Sequence, residues 1–356
     1  MKDKKLNLLK KLTDANGVPG NETQVRNIMK NELENIADSI KTGKLGSFIA
    51  FKKSNKNSPK VMIDGHMDEV GMMVKKIDDN GFIKFQTLGG WWGHVMLGQE
   101  FNITTEQKNI ITGIIGSTPP HLLENGSRDK VIKPDKMFLD IGVKNKEEAE
   151  FLGIKIGDMI TPKSEFKQLG NLNYLKAKAF DNRIGCGIGV EVMKNFKDYC
   201  PVDLYTVGSV QEEVGLRGAK TTASKIKPDV AFVVDLTFSG DTPGLSDIEP
   251  KLGDGPVIVL MDATHIGNKN LKNLAVNMAE KLGLNYKFEI MNKGGTDAGR
   301  IHMVGEGIPT LGLAIASRYM HSHNTIIHYE DYKNLIKLLT EMCKNINWDF
   351  VNKLND

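Results

Sequence analysis

Four apolar runs in this 356-residue chain each close on a side chain that can bind a metal ion. They are 61–66, ending Asp64-Gly65-His66; 204–213, ending Glu212-Glu213; 230–235, ending Asp235; and 311–321, ending His321. Runs of this kind read as buried strands, and in an open α/β sheet ligands bind outside the carboxyl ends of the strands. Polar groups placed there converge however far apart they lie in sequence. The pattern therefore points to an α/β sheet with a built site at one edge.

The rest of the chain fits that frame. From about residue 175 onward, buried-type strands alternate with helical patterns at 184–196 and 271–282, the signature of βαβ units. Near the amino terminus Val25, Ile28, Met29, Leu33 and Ile36 recur at helical spacing, with Asn21 and Gln24 placed as a capping pair. Between 72 and 165 the character changes. Residues 73–77 and 82–85 flank Asp79-Asn80-Gly81, and 101–104 and 110–115 flank Gln107-Lys108-Asn109, which are two hairpin signals. Short runs at 137–143 and 156–160 continue the theme, and only 147–152, stopped by Gly153, reads as a helix. The expected organisation is an α/β domain made of 1–71 and 166–356, interrupted by a β-rich insertion at 72–165. The loop at 117–134 is the longest irregular stretch, and pattern alone gives it no role.

Composition excludes several classes of partner. With 47 basic and 44 acidic residues the net charge is +3, too balanced and dispersed for a nucleic-acid binder. No window approaches the roughly 18 apolar residues that span a bilayer, and the amino terminus carries no continuous apolar segment. Cys186, Cys200 and Cys343 form no C-x-x-C spacing, which suits a reducing cytoplasm. The expected partner is a small or neutral ligand, with neither nucleic acid nor membrane involved.

The polar residues at the run ends carry the chemistry. His66 and Asp68 lie two apart after a strand, so both side chains point to the same side, and Asp68 is placed to hold the second ring nitrogen of His66. Glu212 and Glu213 would repel one another unless cations or donors stabilise them. As strand neighbours they project to opposite faces, which disfavours the paired carboxylates of a retaining glycosidase. Asp181 precedes Ile184-Gly185-Cys186-Gly187-Ile188-Gly189, where a helix begins with glycines that allow close packing, and a helix start keeps an aspartate ionised as a ligand must be. Val190 stands where a dinucleotide motif needs its third glycine, so that motif is set aside. Asp235 ends its apolar run and must be solvated, paired or coordinated. Spacing does not choose between His321, His323 and His328. Taken singly, these residues read as surface charges, a helix cap or structural histidines; five of them at strand or helix ends read as one site. Imidazoles and carboxylates without thiolate suit zinc, cobalt or manganese, and the inventory is enough for two ions sharing one aspartate. Each ion then keeps an open position for water, whose pKa falls toward about 7.

At these residues the chain closely resembles the tetrahedral aminopeptidase family of dinuclear metallopeptidases, which includes glutamyl, leucyl and lysyl aminopeptidases and homologues once labelled endoglucanases. The segments Asp64-Gly65-His66-Met67-Asp68-Glu69-Val70-Gly71, Ala179-Phe180-Asp181-Asn182-Arg183-Ile184-Gly185, Gln211-Glu212-Glu213-Val214-Gly215, Gly295-Thr296-Asp297-Ala298 and Arg318-Tyr319-Met320-His321-Ser322 carry the resemblance. It implies that Asp181 bridges two divalent metals, with His66 and Asp235 completing one site and Glu213 and His321 the other. Glu212 would be the general base, Asp68 the aspartate supporting His66, and Gly295, Thr296 and Asp297 part of the substrate pocket. The implied fold is a mixed-sheet α/β metallopeptidase domain carrying a smaller β-barrel-like dimerisation domain. The implied activity is removal of amino-terminal residues from short peptides by a homo-oligomer, dimers building a tetrahedral dodecamer. Two other functions remain open beside it: a dinuclear deacylase of N-acyl amino acids, and a non-catalytic scaffold stabilised by metals.

Overall fold

The computed structural model describes residues 3–122, 129–245 and 249–354, so part of the 117–134 loop lies outside the described residues. Eleven strands form a large mixed sheet. Its centre is four parallel strands in the spatial order Asp203–Ser209, Lys60–His66, Val230–Phe238, Thr310–Arg318. Every residue of Val230–Phe238 except the last is buried, as expected of a strand covered on both faces. Ser209 pairs beside His66, and Ala314 beside Asp235. The shared direction and this register bring the carboxyl ends of the four apolar runs to one edge.

The helix Phe180–Asn195 lies on this sheet and is buried along most of its length. Glycine permits the contact: a Cβ on Gly65 would come within 2.5 Å of the Gly185 carbonyl carbon, and one on Gly185 within 2.7 Å of the Val234 oxygen. The close approach seats the start of the helix over the end of the His66 strand, so the glycines serve packing.

The amino-terminal segment departs from expectation twice. Its charged start is a helix, Lys4–Asp14, capped by the Asp3 carboxylate and burying Leu6, Leu8, Leu9 and Leu12. The next helix, Thr23–Leu33, is not closed by Asn21 and Gln24; Glu22 holds the cap position without a side-chain cap bond. The Gln24 side-chain oxygen accepts from the Asn16 amide instead, at 3.0 Å. The Glu22 carboxylate has turned away from its own helix to other backbone amides, described below.

Six strands between Gly71 and Pro162 close into a separate antiparallel barrel. Both expected hairpins form, turning through Gly81 (φ 85) and Lys108 (φ 67). Met72 and Val74 face inward while Met73 and Lys75 face out, until a bulge between Val74 and Lys76 leaves Lys76 exposed too. Met72, Val74, Ile83, Phe101, Ile103, Leu139 and Ile160 build a core distinct from that of the large sheet. The fold is thus a mixed α/β sheet with a smaller closed barrel, the architecture the resemblance implies. Among the described residues, no helix is long and apolar enough to cross a membrane.

Candidate active site

His66 is the last residue of its strand, and its Nδ1 lies 3.1 Å from the Asp68 backbone carbonyl and 3.6 Å from the Asp68 carboxylate. An Nδ1–H donating to that carbonyl leaves the Nε2 lone pair directed at the cleft, the form a metal ligand needs. The Asp68 carboxylate, fully buried, is used differently: it accepts from the amides of Glu212 at 3.1 Å and Glu213 at 3.0 Å.

Asp181 and Asn182 depart from helical dihedrals, so the Asp181 carboxylate stands ahead of the regular helix. Asn182 anchors this irregular start by donating to the Val234 carbonyl at 2.7 Å and accepting from the Gly185 amide at 3.0 Å. One oxygen of Asp181 lies 3.2 Å from His66 Nε2 and the other 3.1 Å from His321 Nε2.

Glu212 and Glu213 do not project to opposite faces as strand neighbours would. Their strand ends at Ser209, and Gln211 takes a left-handed conformation (φ 59), so strand alternation no longer applies. Both carboxylates reach the cleft, Glu212 to 3.7 Å from His66 Nε2 and Glu213 to 3.5 Å from His321 Nε2. Asp235 lies three residues before the end of its strand, with one oxygen accepting from the Leu236 amide at 2.7 Å. His323 bonds the Glu100 carbonyl at 3.0 Å and meets the Phe101 ring, and His328 lies edge-on to Tyr174. Of the three histidines, it is His321 that faces Asp181.

Left-handed Tyr319 and His321 (φ 59 and 57) give the His321 turn its shape, and Arg318 anchors its start through a fork onto Asp241, at 2.8 and 2.6 Å. Arg318 holds the Asp241 carboxyl down at about 2, against partial burial and with help from Ser239. A folded-state pKa below the unfolded value of about 3.9 contributes stability that is complete above that value and disappears as pH falls toward 2. Asp241→Asn should therefore melt below the parent protein at neutral pH, and the gap in Tm should close as the pH falls from about 4 to 2. A gap unchanged across that window would show that the fork contributes nothing through its charge.

The cleft is crowded with acid. Burial pushes Asp235 up to about 7 and Glu213 up to about 8, with the Asp181 carboxylate adding to both. Burial opposes ionisation of Asp181 too, yet His321 and His66 hold it well below the usual carboxylate range. His321 is raised to about 9: burial works against its charge, and Asp181 and Glu213 outweigh it. Four carboxylates this close in a buried cleft stay ionised together only with positive charge between them. The Glu213 Oε1 is buried with no hydrogen-bond partner among the described residues. Ligand atoms of His66, Asp181 and Asp235 lie within 4.8 Å of one another, as do those of Asp181, Glu213 and His321. A third such group joins His66, Glu212 and Glu213. Cys186 donates to the His66 carbonyl at 3.2 Å, and burial raises its thiol to about 12, so the donor set is imidazole and carboxylate. Such a set fits zinc, cobalt or manganese.

A cavity of about 390 Å³ opens over these groups, lined also by Leu236, Phe238, Met291 and Lys293. Gly295 and Thr296 are on its wall. Asp297 is 1% exposed and lies against Asp64, behind the residues that line the cavity. Sequence reasoning also assigned no role to a buried ionic cluster beside the site. Glu69 receives Lys178 at 2.6 and 2.8 Å, Arg183 at 3.1 Å and the Gly17 amide at 3.2 Å. The clustering of Glu69, Lys178 and Arg183 around Asp68 and Asp181 in sequence is the one signal that could have found it.

Histidines and carboxylates gathered at the carboxyl edge of an α/β sheet, under an open cavity, are the class of site in which metal-dependent hydrolases work. Comparison with known proteins makes this specific. The family model described as M42 glutamyl aminopeptidase matches residues 46–338. The FrvX protein of Escherichia coli (strain K12) is 40% identical over 349 residues, covering 98% of this chain and 97% of that protein. The TET aminopeptidase of the marine sediment archaeon Thaumarchaeota archaeon SCGC AB-539-E09 superposes with a TM-score of 0.96 at 40% identity, covering 99% of each chain. The Pyrococcus horikoshii TET1 peptidase, which can assemble into a tetrahedron or a large octahedral shell, gives 0.85 at 31% identity over 96% of this chain and 100% of that one. The chain belongs to the M42 glutamyl aminopeptidase family, and it is a peptide hydrolase.

Proposed function

We propose that the enzyme removes amino-terminal residues from short peptides with two divalent metal ions, zinc or cobalt foremost and manganese as a third candidate. The observation that carries this reading is the Asp181 carboxylate, which offers one oxygen toward His66 and the other toward His321. Asp181 would be the shared ligand, His66 and Asp235 would complete one position, and Glu213 and His321 the other. Ions held there supply Lewis acidity, lowering the pKa of water and stabilising negative charge on the scissile carbonyl oxygen. Glu212, left over when the ligands are counted, takes the proton from the attacking water and passes it to the leaving amine. Asp68 fixes both ends of this arrangement, the His66 ring through its carbonyl and the Glu212-Glu213 backbone through its carboxylate. Gly295 and Thr296 form part of the wall against which the substrate lies. A cavity of about 390 Å³ admits the end of a peptide and not a folded chain.

We assign the 72–165 unit to self-association. Met73, Ile110 and Ile114 are exposed on the outer surface of its barrel, and a dodecamer built from dimers, like that of the TET1 peptidase, is the expected assembly in the cytoplasm. Light scattering checks the mass.

Chelation should abolish turnover, and zinc, cobalt or manganese should restore it with up to two ions bound per chain. A panel of aminoacyl chromogenic substrates reads the activity, and free peptides should be cleaved while their N-acetylated forms are not. Preference for the acetylated form would replace this reading with a deacylase, and restored metal without any hydrolysis would replace it with a scaffold.

A further inference from the structure

The turn that carries Glu212 and Glu213 is held by three consecutive backbone amides, each donating to a buried carboxylate. Glu212 and Glu213 donate to Asp68; Gln211 donates to Glu22 at 3.2 Å. Glu22 comes from a part of the chain nearly two hundred residues away, is 2% exposed, and also accepts from the Gly20 amide at 2.7 Å. Gln211 is the residue whose left-handed conformation (φ 59) turns the chain out of its strand and sends both glutamates into the cleft. A non-glycine residue keeps that conformation only where its surroundings hold it. Glu22 is itself well placed to hold it. Gly17, in the same segment, exchanges two hydrogen bonds with Glu69, the residue after Asp68, at 3.2 and 2.9 Å. The segment before the Thr23–Leu33 helix is thereby fixed to the loop that follows the His66 strand.

We propose that Glu22 is a positioning residue for the general base: by accepting from the Gln211 amide it fixes the turn, and with it the direction in which the Glu212 carboxylate points. The inference rests on the reading of Glu212 as the base. It explains why the carboxylate of Glu22 leaves its own helix uncapped. Asp68 pins the two following amides but not the peptide that sets the turn, so the two acids divide the work. Asp68 fixes where the pair sits, and Glu22 fixes how the chain enters it.

The test uses the full-length, metal-loaded enzyme and reads kcat, KM, metal content by elemental analysis, and Tm. Glu22→Ala should lower kcat by about 10- to 100-fold, the size expected when a catalytic group is misplaced by a fraction of an ångström to an ångström. KM and metal content should stay at parental values, because Glu213 lies one residue further from the Gln211 turn than Glu212 and its amide stays bonded to Asp68. Glu22→Gln keeps an acceptor oxygen of the same reach and should restore kcat to within about threefold of the parent. Adding Gln211→Gly to Glu22→Ala should recover part of the loss, since glycine takes the left-handed conformation unaided. A merely structural Glu22 would move Tm and leave kcat alone. Parental kcat in Glu22→Ala overturns the proposal, as does a kcat loss that tracks a loss of metal. If Glu22→Ala does not fold, Glu22→Asp, one methylene shorter, replaces it under the same criteria. Glu212→Gln is run alongside: if it stays active, the base assignment itself fails, whereas an inactive Glu212→Gln beside a fully active Glu22→Ala overturns this inference alone.

Discussion

Glu212→Gln should lose about 100- to 10,000-fold in kcat, the usual contribution of a positioned proton-transfer group, while keeping its metal content and a KM near the parent's. Glutamine matches glutamate in shape, and the backbone bond from Glu212 to Asp68 does not involve the altered group. The turn, the neighbouring Glu213 and the His66 ring should therefore stay where they are. What disappears is the ability to accept a proton from water and return it to the departing amine. The ligand assignment makes the prediction selective. Glu213→Gln, one residue further on, should lose metal as well as activity, because its carboxylate lies 3.5 Å from His321 Nε2 within the Asp181 group. Elemental analysis beside steady-state kinetics separates the two variants. Turnover surviving in Glu212→Gln would remove this residue from the mechanism, and metal lost from it would make Glu212 a ligand instead of a base.

The contrast between these neighbours shows where sequence reasoning reached and where it stopped. The four central strands were legible because burial on both faces writes itself as an uninterrupted apolar run, and a parallel sheet turns such runs into a shared edge. The barrel hairpins were legible from Asp79-Asn80-Gly81 and Gln107-Lys108-Asn109, where local turn chemistry decides the conformation. Strand alternation misread Glu212 and Glu213, since the strand stops at Ser209 and a left-handed glutamine gives no advance notice of itself in sequence. The helix Lys4–Asp14 stayed hidden because its lysines masked a leucine stripe. Asp297, which the resemblance placed in the substrate pocket beside Gly295 and Thr296, holds the cap position of the helix Ala298–Ile301 and is buried against Asp64, a partner more than two hundred residues away that spacing does not announce. The resemblance named His321 over His323 where spacing could not, because the contact with Asp181 that sets His321 apart spans 140 positions. Spacing carries no record of such a pairing.

Long-range pairing also underlies the largest stability effect expected of this chain. Glu69→Ala should destabilise the fold by about 3–5 kcal/mol, the cost of leaving a buried ionic partner uncompensated. The Lys178 and Arg183 side chains are almost wholly inaccessible to water, and both point at the Glu69 carboxylate. Burial already pulls the Lys178 ammonium below its usual pKa, with Glu69 opposing that fall and Arg183 adding to it. Remove the carboxylate and two cations face each other in a dry interior. Arg183 cannot swing out to water, since it also donates to the carbonyls of Leu12, Ala15 and Gly17. Among the described residues, Lys178 retains only the Ala15 carbonyl as an acceptor. The double variant Glu69→Ala, Lys178→Met should recover part of the loss, because one unpaired charge is withdrawn and the space it occupied is filled by an apolar chain. Denaturant midpoints measure both effects. The damage should extend to the site, because Lys178 and Arg183 flank Asp181 and Glu69 adjoins Asp68; metal should dissociate faster into chelator from the single variant than from the parent. A Glu69→Ala protein as stable as the parent would mean that the cluster contributes no net free energy to the fold, and the anchoring of Asp68 and Asp181 would then have to come from the sheet alone.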